Sequence, residues 1–126
     1  FVQKLGPNFL FEAGKMIGSQ FFIDDKYKSD RQNDIYFDAC RKYIYHISLT
    51  IPDGYTLEDV NNLNKSVQSE YCSFVSTATI EGNLLKINTE KVYKTIEAPK
   101  TAWNEIVAVM DAAYQFSQEK VILKKK

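Results

Sequence analysis

The sequence predicts a mainly β domain, α+β by count. It is expected as an antiparallel β-sandwich-like body with one C-terminal amphipathic helix packed on the sheet and a short final strand. Three stretches predict this. The first runs from Tyr43 to Gly54, where every odd position is apolar (Tyr43, Tyr45, Ile47, Leu49, Ile51) and His46, Ser48 and Thr50 alternate with them; Ile44 is the exception. A period of two belongs to a strand with one buried face. Pro52-Asp53-Gly54 then stops the strand with turn chemistry. The other strands are expected to lie around this one, with Ile47 in the core.

The second stretch is a hairpin over 71–96. One face of its first arm reads Cys72, Phe74, Ser76, Ala78, Ile80, and Glu81-Gly82-Asn83-Leu84 follows. A two-residue Gly-Asn loop suits the positive φ angles of a tight hairpin turn. That loop sets Ile80 opposite Leu85, Ala78 opposite Ile87, Ser76 opposite Thr89 and Cys72 opposite Tyr93. A slip of one residue would put Lys86 and Asn88 into the core instead. The third stretch follows Pro99. Thr101 is the expected N-cap of a helix over 101–118, in which Trp103, Ile106, Val107, Met110, Ala113 and Tyr114 form one stripe. Asn104, Asp111, Gln115 and Gln118 fall on the other side. A last strand is expected over 120–124, at Val121-Ile122-Leu123.

The rest of the chain is weaker in pattern. Residues 1–23 hold two apolar patches, Phe9-Leu10-Phe11 and Phe21-Phe22-Ile23, punctuated by Gly6, Gly14 and Gly18. Short strands with glycine turns fit them better than a helix, with the segment serving as a link from an upstream domain. Residues 24–38 are dense in charged and amide side chains of mixed sign and read as a charged surface loop. The main body is then 39–126. Within it, Leu57 to Asn64 reads as an irregular connection or a short helical turn.

A length of 126 residues fits a single domain and lets one core form without a metal or disulfide. Sixteen basic and sixteen acidic residues cancel, which argues against a nucleic-acid partner and against electrostatic docking on a membrane. No apolar run approaches the roughly 18–20 residues of a membrane span, so no membrane insertion is expected. The chain starts at Phe1 rather than Met, and is expected to be a piece of a longer protein or a processed form. The cysteines, Cys40 and Cys72, lie outside any Cys-x-x-Cys or Cys/His cluster, so neither a metal site nor a cofactor is expected. A disulfide between them is one reading, and two separate thiols is the favoured one.

The catalytic inventory is thin. The lone histidine, His46, sits on the polar face of its strand, and Cys40 is six residues away along it, roughly 20 Å at strand rise. Cys72 could reach His46 only from a neighbouring strand. No glycine-rich phosphate loop follows a strand. No residue is assigned a catalytic role.

Phe74-Val75-Ser76 through Ile80-Glu81-Gly82-Asn83, Ile51-Pro52-Asp53-Gly54-Tyr55 and the closing Val121-Ile122-Leu123 carry a family likeness. The sequence resembles the C-terminal domain of unknown function of large bacterial proteins. In those proteins it follows an N-terminal β-rich domain, also of unknown function, and a transglutaminase-like domain. Ile17-Gly18-Ser19-Gln20 is similar to the segment where that C-terminal part begins. The sequence departs from the family at Ser19, where an acidic residue is usual, at Ala98, where an aromatic is usual, and at Trp103-Asn104-Glu105, which replaces a more acidic run.

The resemblance implies an exported parent, periplasmic or on the cell surface, which raises the expectation of a Cys40–Cys72 bridge. It places any thiol-enzyme machinery upstream, since no Gly-His-Cys motif is present to carry over. The implied function is a non-catalytic accessory module that docks on the neighbouring domain of the same polypeptide, with Phe9, Phe11, Phe21 and Phe22 as the expected docking face. The alternative is recognition of a glycan or peptide by loop aromatics, for which Tyr27, Tyr36, Phe37 and Tyr55 are the candidates. An enzyme is the third reading.

Overall fold

The computed structural model describes residues 1–28 and 31–126; Ser29 and Asp30, within the expected charged loop, lie outside the described residues. In chain order the strands are β1 (Val2–Leu5), β2 (Asn8–Phe11), β3 (Ile35–Tyr36), β4 (Arg41–Thr50), β5 (Tyr55–Leu57), β6 (Lys65–Gln68), β7 (Cys72–Glu81), β8 (Leu84–Tyr93), β9 (Glu97–Ala98) and β10 (Val121–Lys125). The helix α1 (Trp103–Ser117) precedes β10, and short 3-10 turns sit at Ala13–Ile17, Asp25–Tyr27, Asn61–Leu63 and Lys100–Ala102. The fold class is the expected one: antiparallel open sheets, one C-terminal helix and a final strand.

Two four-stranded sheets carry the fold, in the orders β4-β8-β7-β6 and β1-β2-β10-β5, with β3 and β9 paired apart. The β7–β8 hairpin has the register its pattern predicts: Ile80 faces Leu85, Ala78 faces Ile87, Ser76 faces Thr89 and Cys72 faces Tyr93. The turn differs in one respect. Gly82 has φ 61°, and among the described residues no non-glycine has positive φ, so Asn83 does not share it. A positive φ at the first central position alone is the II′ pattern rather than I′.

The largest correction concerns β4. It is not the strand around which the rest are laid; it is an edge of its sheet, and β8 and β7 lie inside. The alternation was real, since Tyr43, Tyr45, Ile47 and Leu49 pair with Lys91, Thr89, Ile87 and Leu85 and share their face. Position in the sheet was decided by the flanks. β8 is paired on both edges, with β4 and β7, and its Leu85 and Ile87 are fully buried while Ile47 and Leu49 are half-buried against the core. The Ile47→Ala substitution is accordingly expected to cost about 1–2 kcal/mol, below the usual range for a fully buried isoleucine; urea unfolding would check it, and a loss above 3 kcal/mol would contradict the edge position.

The helix packs on β6 and β7 and against the Ala13–Ile17 turn. It starts later than the pattern suggests. Thr101 lies in the 3-10 turn that leads in, and among the described residues no side chain caps the start of α1. The residues expected on the inner stripe divide. Ile106, Val107, Met110 and Ala113 are buried, whereas Trp103 and Tyr114 are half-buried. Val109, Ala112 and Phe116 are buried as well. Phe116 meets Phe74 edge to face at 5.7 Å between ring centroids.

The N-terminal segment is therefore no mere link. β2 pairs with β1 and β10, and Phe11, Ala13 and Ile17 enter the core. Gly14 falls in the 3-10 turn, where its N–H donates to Glu119 O at 2.9 Å. The expected charged loop also carries structure: β3 pairs with β9 through Ile35–Ala98 and Tyr36–Glu97. The Asn61–Leu63 turn matches the expected short helical connection. Its Leu63 O accepts from buried Ser76 Oγ at 2.6 Å.

Candidate functional site

Because α1 covers β6 and β7, it leaves the inner face of β4 open. Tyr43 and Tyr45 point to the core side yet each is 39% exposed. The segment 18–24 crosses beside them as a strap without regular secondary structure. It is pinned at Gln20. Lys91 Nζ donates to Gln20 Oε1 at 2.9 Å, and Gln20 Nε2 donates to Ile17 O at 3.3 Å. Beyond the strap, Trp103 Nε1 donates to Tyr27 O at 2.8 Å, and Lys28 pairs with Asp111 at 3.1 Å. Phe22 meets the Tyr114 ring at 5.0 Å.

Two cavities open along this strap. The first, about 510 Å³, is lined by Phe21, Ile23, Tyr36, Phe37, Asp38, Arg41, Tyr43, Tyr93, Trp103 and Met110 among others. The second, about 350 Å³, is lined by Ser19, Gln20, Phe21, Tyr43, Tyr45, Thr89, Lys91 and Tyr93 among others. Phe21, Tyr43 and Tyr93 wall both. Volumes in this range suit small ligands. Arg41 donates to Tyr43 Oη at 3.4 Å, so the first cavity has a cation at its rim.

The expected recognition residues do not form one site. Tyr36 and Phe37 both line the first cavity; Tyr36 is exposed, while Phe37 is half-buried and tilted on Tyr93 at 5.2 Å. Tyr27 is exposed in an adjoining depression with Phe22, Arg31 and Trp103. Tyr55 is apart from them, half-buried in β5 and packed on Phe9 at 5.6 Å, because its strand is fixed by β10. The expected docking face divides in the same way. Phe21 and Phe22 are 70% and 65% exposed, Phe11 is buried, and Phe9 is half-buried.

Lys91 is not among the residues that the sequence pattern singles out. The hairpin register places it on the inner face between Thr89 and Tyr93, and a cation at a core position was the signal available. It is 9% exposed. Its ammonium lies 5.3 Å from the Tyr93 ring centroid and 5.9 Å from that of Phe21. Burial lowers its pKa from the usual lysine value. Burial likewise raises the pKa of Cys72 and Tyr93 on the same face, since desolvation disfavours whichever form is charged.

His46 and Cys72 do not meet. β8 separates their strands, and the pairings put Cys72 on the inner face while His46 shares the outer face with its neighbour Asn88. Cys40 and Cys72 are both free thiols. Cys40 Sγ donates to Lys94 O at 3.5 Å. Cys40 directly precedes β4 and Cys72 opens β7, with β8 between those two strands. Among the described residues no group of three or more His, Cys, Asp or Glu side chains is placed to hold a metal, and no helix is long and apolar enough to cross a membrane.

Comparison with protein families gives a match over residues 12–123, to a family described as a domain of unknown function with solved structure, DUF3858. No curated protein and no solved structure matches the chain.

Proposed function

Since the chain belongs to the DUF3858 family, we propose that it is a non-catalytic accessory module that docks on a neighbouring domain of the same polypeptide. The observation that carries this reading is the apolar surface along the strap. Phe21, Phe22, Tyr27 and Tyr36 are each more than 60% exposed, and Tyr43 and Tyr45 are open beside them. Exposed aromatics grouped in this way mark interaction surfaces. The long edge strand β4 runs along the same border. The family resemblance supplies the partner: a transglutaminase-like domain upstream in an exported bacterial protein. The separation of His46 from Cys72 supports a binding role over a thiol-enzyme role for this domain.

The test compares the isolated chain with the parent protein by hydrogen exchange. Amides of 20–28 and 43–46 are expected to gain protection in the parent by at least tenfold. A Phe21→Ser/Phe22→Ser variant is expected to lose that gain while the isolated chain melts within about 2 °C of the unmodified one, because exposed side chains contribute little to folding. Equal protection in both contexts would overturn docking at this face.

One observation favours a second reading, recognition of a glycan or peptide. The first cavity is concave, has Tyr36 and Phe37 in its wall, and has Asp38 and Arg41 at its border. Binding on a glycan or peptide array that is lost in Tyr36→Ala would favour this reading over docking.

A further inference from the structure

Lys91 is buried on the inner face of β8 with one neutral hydrogen-bond partner, Gln20 Oε1. Among the described residues no carboxylate lies within 4.0 Å of its ammonium. An ammonium offers three donors, and a buried cation without a counter-charge is costly unless something pairs with it. The two rings near it, Phe21 and Tyr93, supply a modest attraction and carry no charge. All four of these side chains wall the second cavity, of about 350 Å³.

We propose that this cavity is a carboxylate-binding site, which takes one anionic group carried on a flat apolar body. Lys91 is the counter-charge. Gln20, which already receives one Lys91 N–H, fixes the direction of the other two. Phe21 and Tyr43 flank the body of the ligand, and Tyr93 closes the wall between this cavity and the larger one. Lowering of the lysine pKa by burial fits an ammonium that lacks its anion and regains its usual proton affinity when one binds. The site is complete within this chain and stands whether or not the docking reading holds.

The same chemistry could arrive as a free small carboxylate or as a Glu or Asp side chain flanked by aromatic residues on an adjoining segment. Two probe pairs separate these sources. The first is phenylacetate against phenylacetamide; the second is acetyl-Phe-Glu-Phe-amide against its Gln counterpart. Binding is followed on the isolated chain by the NMR shifts of Phe21, Tyr43 and Lys91. The charged member of at least one pair is expected to bind tenfold or more tightly than its neutral isostere. Lys91→Met is expected to erase that preference, and Arg41→Met, at the rim of the other cavity, to leave it intact. Preference in the first pair assigns a free ligand, and preference only in the second assigns a protein segment. Should Lys91→Met not fold, the charged-against-neutral comparison on the unmodified chain still decides. Equal binding within both pairs, no binding by any probe, or a preference that survives Lys91→Met would each overturn the proposal.

Discussion

Replacing Phe116 with alanine is expected to destabilise the domain by about 3–5 kcal/mol, the range for deleting a fully buried aromatic. The ring is 0% exposed and stands where three parts of the chain converge. It meets Phe74 of β7 edge to face. Its own carbonyl borders Gly14 of the N-terminal turn and accepts from Glu119 N at 2.9 Å. Phe74 cannot readily collapse into the space, since it is itself 1% exposed and held in a ten-residue ladder. Thermal and urea unfolding would check the value. A loss below 1 kcal/mol would mean that the helix is not packed on β7 as described.

Gly14→Ala is expected to cost about 3 kcal/mol, at the upper end for overpacking. The residue has no unusual dihedral. The constraint is proximity: a Cβ there would lie 1.9 Å from Phe116 O and 2.6 Å from Ser117 C. Both are backbone atoms of the last helical turn, so no side chain can swing aside. The turn would have to retreat, and the bond from Gly14 N–H to Glu119 O would lengthen with it. Gly6→Ala is the useful comparison. Gly6 has open space around it but φ +61°, so its cost is the smaller one of a strained backbone, about 1 kcal/mol. Unfolding curves that rank Gly6→Ala as the more damaging of the two would contradict the close approach at Gly14.

The hairpin was legible to the residue because its two arms constrain one another: only one register puts Ala78, Ile87 and Leu85 on one face and keeps Lys86 out. The helix was legible in its centre and not at its margins. Val109 and Phe116 extend the buried side beyond the expected stripe, at the steps Ile106, Val109, Ala113, Phe116; Phe116 packs on Phe74, and a second layer covers the helix at the Ala13–Ile17 turn. That layer, β2 with the Ala13–Ile17 turn, arises from pairing between Phe11 and Val121, residues 110 positions apart. No local pattern announces such a pair. β4 shows the opposite limit. Its alternation names a buried face, and it says nothing of which strands lie on either side. The site suffered most from this, since the opening beside Tyr43 and Tyr45 exists because β4 is an edge that the helix does not reach. Tyr27, Tyr36 and Phe37, loop aromatics in the sequence, lie near it. Lys91 and Gln20, which face it most directly, come from a strand and a strap that composition does not distinguish.

The position of β10 has a consequence for biosynthesis. This strand sits between β2 and β5 and joins residues near one end of the sequence to residues in its middle. As the chain leaves a ribosome, the β7–β8 ribbon can zip as soon as it emerges. The other sheet has no such freedom: β2 and β5 have no shared partner to bridge them until Val121–Lys125 is made. During that interval Phe11 and Leu57, both buried in the finished domain, lack the strand that pairs with them. The last few residues thus act as the keystone of the sheet that the first few began.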